Sequence, residues 1–186
     1  MAESRDLEGR RVLAVIAPRD FRDEELFEPR AALEARGAAV AIASTAKGAA
    51  TGMLGGHAEA GLAIADCAAS DFDAVFVVGG MGSPRHLWDD RALHALLRDF
   101  YAQGKPVAAI CLSGAVLANA GLLEGKRATV FCTDRSLAAL RAGGATYVSE
   151  PIVQDGQILT AGGPHAAKLF ARALGDRIAK VRAAAG

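Results

Sequence analysis

Aromatic residues make up only 5% of this 186-residue chain, and neither sign of charge is in excess, with 21 basic and 21 acidic residues. So few aromatics argue against a platform on which nucleic-acid bases stack. A formal charge of zero without a basic stripe argues against a polyanion partner. The densest basic stretch, Lys168 to Arg182, repeats at helical spacing and reads as a solvated helix face. Cysteine is also sparse. Three residues, Cys67, Cys111 and Cys132, do not make a disulfide framework in a chain of this length. Together with four scattered histidines they form no zinc pattern, so no metal is expected. No apolar run approaches the ~18 residues of a membrane span. The opening MAESRDLEGRR lacks the apolar centre of a signal peptide. A cytoplasmic location is the expectation, with no membrane or nucleic-acid partner. No phosphate-cradling or dinucleotide loop is present, so no cofactor is expected.

What the chain does have is alternation. Arg11 to Ala17, Ala38 to Ser44, Asp73 to Val78 and Pro106 to Ile110 are short continuous apolar runs, as expected for strands covered on both faces. Helical patterns separate them. The first is closed by Gly37, and its Pro29 is expected in the first turn, where a missing N–H costs least. Asp90 to Gln103, Ser113 to Ala120, Asp134 to Ala142 and Pro164 to Ala179 read as further helices. Residues 46–66 read as a hairpin or irregular excursion, Ala128 to Phe131 as a short strand, and Ile152 to Thr160 as a hairpin around Asp155-Gly156. Strands and helices in turn predict an α/β fold: a doubly wound, mainly parallel sheet with helices on both faces. Length fits one domain over residues 1–186, with 1–10 as a flexible N-terminus.

Ligands of such a sheet bind at the carboxyl ends of its strands. Glu24-Glu25, Gly79-Gly80 and Cys111 all fall at that edge. Cys111 lies between a buried strand and a helix, so the chain must turn sharply there, as at a nucleophile elbow. Nearby helix-terminal N–H groups would favour its thiolate. Backbone N–H groups at this turn and from Gly79-Gly80 could stabilise an oxyanion.

The order of segments resembles the DJ-1/PfpI superfamily (ThiJ/PfpI, class I glutamine amidotransferase-like) over about residues 10–180. Ala109-Ile110-Cys111 is similar to the family's nucleophile motif, and Phe21 to Pro29 to its segment after the first strand. Val77-Val78-Gly79-Gly80, Gly121 to Lys126 and Thr160 to Pro164 match three further segments. The resemblance implies Cys111 as nucleophile and Glu25 as its acid/base, with Gly79, Gly80 and Leu112 around the oxyanion. It also implies a homodimer or higher homo-oligomer, with Trp88 and the last helix as candidate surfaces. The chain departs from the PfpI branch at Leu112, where peptidase-type members carry histidine, and at Arg85, where they carry an acid. It has Gly162 where DJ-1 proper carries arginine. His86 and His165 are the candidates for the missing third member. His57 and His94 read as peripheral, Cys67 as structural, and Cys132 as core packing, a secondary thiol or a resolving partner. The leading expectation is a stress-response enzyme acting on a small electrophile such as a 2-oxoaldehyde, in a glyoxalase-, deglycase- or hydratase-like reaction. Its alternatives are a PfpI-type peptidase or amidase and a non-enzymatic redox sensor or chaperone.

Overall fold

The computed structural model describes residues 5–184. In chain order the elements are β1 (Arg11–Val15), β2 (Arg19–Phe21), α1 (Asp23–Ala35), β3 (Ala39–Ser44), β4 (Gly48–Gly52), β5 (His57–Ala60), β6 (Leu62–Ala63), β7 (Ala74–Val77), α2 (Ser83–His86), α3 (Arg91–Ala102), β8 (Val107–Ile110), α4 (Gly114–Asn119), β9 (Arg127–Ala128), α5 (Asp134–Ala142), β10 (Thr146–Tyr147), β11 (Ile152–Asp155), β12 (Ile158–Ala161) and α6 (Ala167–Ala184). Seven strands form the main sheet in the order β11-β12-β8-β7-β1-β3-β6. Every neighbouring pair is parallel except the β11–β12 hairpin. This is the doubly wound architecture the alternation predicts.

The central strands are buried because both faces are covered. Every residue of β7 and β8 is buried, and all of β1 except Arg11. Helices α1 and α6 pack on each other over one face, and α3 and α4 cover the other. Leu93, Leu96, Leu97 and Phe100 put one stripe of α3 into the core, at the three-and-four spacing of a helix face. Asp90 starts that helix by accepting the Leu93 N–H at 2.9 Å.

Several boundaries differ from the sequence reading, each for a physical reason. Pro29 is the seventh residue of α1, not part of its first turn. Having no N–H, it leaves the carbonyl of Glu25 without its helical donor. Residues 5–10 are anchored, while residues 1–4 lie outside the described residues. Leu7 is fully buried, its N–H donates to Arg36 O at 3.0 Å, and Asp6 pairs with Arg36 at 2.6 Å. Of the expected Ala128–Phe131 strand only Ala128 pairs, together with Arg127 before it, against the two-residue β10. Cys111–Ser113 and Pro164–Ala166 are single 3-10 turns leading into α4 and α6. Among the described residues, no helix is long and apolar enough to cross a membrane.

Candidate active site

At the end of β8 the backbone enters the left-handed region at Cys111, with φ of 61°. A side chain in that conformation costs roughly 1–2 kcal/mol, so neighbouring contacts must hold it. Ser113 Oγ donates to Val78 O at 2.7 Å, which commits its hydrogen. Ser83 Oγ, 2.7 Å from Ser113 Oγ, is therefore the donor of that pair. Trp88 Nε1 donates to Leu112 O at 2.9 Å, and the Phe131 N–H to Cys111 O at 3.2 Å. Trp88 is thus an internal anchor, 6% exposed.

Helix α1 delivers Glu25, fully buried in its first turn, to the same place. The Gly79 N–H donates to Glu25 Oε2 at 2.9 Å. Position 79 has room only for hydrogen. A Cβ there would lie 2.6 Å from Cys111 Cβ and 2.7 Å from Glu25 Oε2. Gly80 is left-handed, φ 96°, and a Cβ on it would come within 2.5 Å of Arg22 N. The N–H groups of Gly80 and Leu112 favour charge on the Cys111 sulfur, and the Glu25 carboxyl opposes it. The structure therefore brings together all five of Cys111, Glu25, Gly79, Gly80 and Leu112.

Burial sets the charge of this pair. It pushes the Glu25 carboxyl up to about 7, against hydrogen bonds from Cys111 and Gly79. Burial also pushes the Cys111 thiol up to about 12, and the negative charge of an ionised Glu25 adds to it. The pair thus releases one proton near 7 and holds the second to about 12. The expectation of a thiol depressed outright by its helix end is corrected here, because desolvation outweighs the N–H groups. Glu25 Oε1 has no hydrogen-bond partner among the described residues, so an ionised carboxylate is half unsatisfied, which is why burial favours its protonated form. Between about 7 and 12 the pair holds one proton between the carboxyl and the sulfur.

The sulfur faces a cavity of about 90 Å³ lined by Arg22, Met53, Gly80, Met81, Leu112, Phe131 and Pro164. No histidine lines it. His86 is half-buried at the end of α2, and the exposed His165 lines a different hollow. His94 is not on a free helix face, because its Nε2 lies 2.9 Å from Trp88 O. Cys132 is exposed, with Sγ 2.8 Å from Tyr147 Oη, and so is not core packing. Cys67 is half-buried, donating to Ala63 O at 3.4 Å. All three cysteines are free. Among the described residues no group of three His, Cys, Asp or Glu could hold a metal ion. Arg22 is the residue the sequence reading missed. Its guanidinium grips Glu24 through Nε at 2.7 Å and Nη2 at 2.9 Å, beside the pocket. Its place immediately before the helix carrying Glu25 is the signal that could have found it.

Comparison with known proteins agrees with this fold. The model of the DJ-1/PfpI family matches residues 10–177. An uncharacterised protein of Methanocaldococcus jannaschii is 45% identical over 165 residues, covering 89% of this chain and 80% of its own. Deglycase PfpI of Pyrococcus furiosus is 30% identical over 141 residues, covering 76% and 83%. The crystal structure of a ThiJ/PfpI domain protein from Brachyspira murdochii superposes with a TM-score of 0.88 at 35% identity, covering 93% of this chain and 98% of that one.

Proposed function

The chain belongs to the DJ-1/PfpI family, and from that premise we propose that it is a cysteine-dependent enzyme acting on a small electrophile, a 2-oxoaldehyde in the first instance. The observation that carries this reading is the Cys111–Glu25 pair: a buried sulfur, on which the N–H groups of Gly80 and Leu112 favour charge, beside a buried carboxyl raised to about 7. A group titrating there can both give and take a proton near neutral pH.

In this reading Cys111 Sγ adds to the aldehyde carbon, and the proton held by Glu25 passes to the carbonyl oxygen. The product is a hemithioacetal. The N–H groups of Gly80 and Leu112 hold the negative charge that develops on that oxygen. Glu25, now a carboxylate, removes the hydrogen of the former aldehyde carbon. It returns that hydrogen to the neighbouring carbon through an enediol, leaving a thioester. Water cleaves the thioester to a 2-hydroxy acid and restores the thiol. One 2-oxoaldehyde and one water give one 2-hydroxy acid, with no external oxidant.

The test is lactate formation from methylglyoxal by purified protein, abolished in Cys111→Ser. Wild-type protein that consumes no aldehyde would overturn the reading. The same donors around sulfur would also stabilise a sulfinate, which favours a redox-sensing role as the second reading. A two-fold homodimer in the cytoplasm completes the proposal on family grounds. A monomer in sedimentation at micromolar concentration would remove the dimer.

A further inference from the structure

Two hollows meet at one side chain. The cavity at Cys111 measures about 90 Å³ and is walled mainly by carbon. Past Phe131 lies a second hollow of about 370 Å³, whose walls include Tyr147, Ser149, Glu150 and His165. Phe131 belongs to both walls. The smaller volume admits a reacting carbonyl and its nearest substituents and little else. The larger is within the range of small-molecule sites. Its walls are less apolar than those of the smaller cavity, and their hydroxyls, imidazole and carboxylate can hydrogen-bond polar groups of a ligand.

The placement of Phe131 makes it a partition. Its N–H is bonded to Cys111 O, so its backbone is fixed beside the nucleophile. Its ring leans on Gly163, where a Cβ would come within 3.1 Å of Cδ2. Yet the residue is 44% exposed, so no packed core locks the ring in one rotamer. The floor of the larger hollow includes Gly162. A Cβ there would meet nothing closer than 3.7 Å, so a side chain at 162 could be built, and a long one would fill the hollow.

We propose that Phe131 determines specificity at this site. The reactive end of the ligand enters at Cys111, and a polar, hydrogen-bonding body lies past Phe131 in the larger hollow. The proposal rests on Cys111 being the nucleophile of the reading above, but not on any turnover.

Alkylation of Cys111 by two reagents of one chemistry tests it: iodoacetamide and N-iodoacetylglucosamine. Rates are followed by mass spectrometry of the Cys111 peptide, in a Cys132→Ser background that keeps the larger hollow unmodified. Phe131→Ala should raise the rate of the sugar reagent relative to iodoacetamide about tenfold, the effect of removing a barrier of about 1.4 kcal/mol. Gly162→Arg should lower that ratio by a similar factor. A ratio that stays constant in both Phe131→Ala and Gly162→Arg overturns the proposal. Should Phe131→Ala fail to fold, the Gly162→Arg ratio decides alone. Absence of lactate formation alongside the expected shifts would sink only the enzymatic reading.

Discussion

The backbone N–H of Gly79 meets Glu25 Oε2 at 2.9 Å across 54 positions of sequence, and this one bond commits one of the two carboxyl oxygens. With Oε2 committed, Oε1 is the atom positioned to carry a proton. The reactivity of Cys111 should therefore follow the protons of the pair. Its alkylation by iodoacetamide should step up near 7, where the pair gains its one negative charge, and again toward 12, where the second proton leaves. Glu25→Gln should keep a donor at the sulfur but lose the exchangeable proton, lowering turnover by about 10²–10⁴-fold. Measured kcat in the glutamine variant within a factor of about three of wild type would contradict this.

The same pair makes stability depend on pH. An unfolded glutamate ionises near 4.5, while the folded pair keeps its first proton to about 7. Between those values the folded state binds one more proton, so stability falls as pH rises, by about 1.4 kcal/mol per unit. From about 7 to 9 both states have lost one proton and the curve is flat. Above 9 the unfolded thiol ionises while the folded pair holds on to about 12, and stability falls again. Urea midpoints across this range should show both slopes, and Glu25→Gln should erase the lower one.

Two hydroxyls support the turn from beneath. Ser113→Ala removes the acceptor of Ser83 and the donor to Val78 O, stranding both in the interior. A loss of about 1–3 kcal/mol is expected. Adding Ser83→Ala should cost less than it does alone, because its partner is already gone. Additive losses in a double-mutant cycle would mean that the two hydroxyls do not act as a unit.

Gly79→Ala should be far more damaging than Gly162→Ala. The first forces a methyl against Cys111, Glu25 and the carbonyl of Ile110, all within 2.8 Å, whereas the second meets ordinary contacts. Overpacking of that kind costs about 1–3 kcal/mol. Thermal unfolding of the two variants, with Cys111 alkylation alongside, separates loss of fold from loss of the site.

Peptide cleavage should be absent. A leaving amine needs a proton donor opposite the nucleophile, and among the described residues no histidine lines the Cys111 cavity. Highly purified protein should leave casein intact. Hydrolysis that disappears in Cys111→Ser would show that the donor comes from elsewhere, a second copy of the chain being the first place to look.

The long apolar runs were legible because burial on both faces leaves no polar alternation, and Asp134 to Ala142 ends at its glycine as read. Cys111, Glu25 and the glycine pair were legible because each sits where a strand ends. The two-residue strands β9 and β10 were not, since pairs that short have no periodicity. Nor was α2, a single turn over Ser83–His86. Pro29 misled because its helix tolerates a missing bond six residues past its start. The histidines were placed by distance along the chain, but their neighbours in space are set by loops around β9 to β12 and α2, whose paths no local pattern encodes.

The left-handed backbone at Cys111 has an evolutionary consequence. Glycine occupies that region without strain, so Cys111→Gly should recover part of the roughly 1–2 kcal/mol stored there while destroying the nucleophile. Mutation alone would thus push this position toward the smaller residue, and a lineage with no use for the thiol would gain stability by losing it. Cysteine at 111 is held against that gradient, which makes its retention or loss in neighbouring lineages a direct record of whether the chemistry is still under selection.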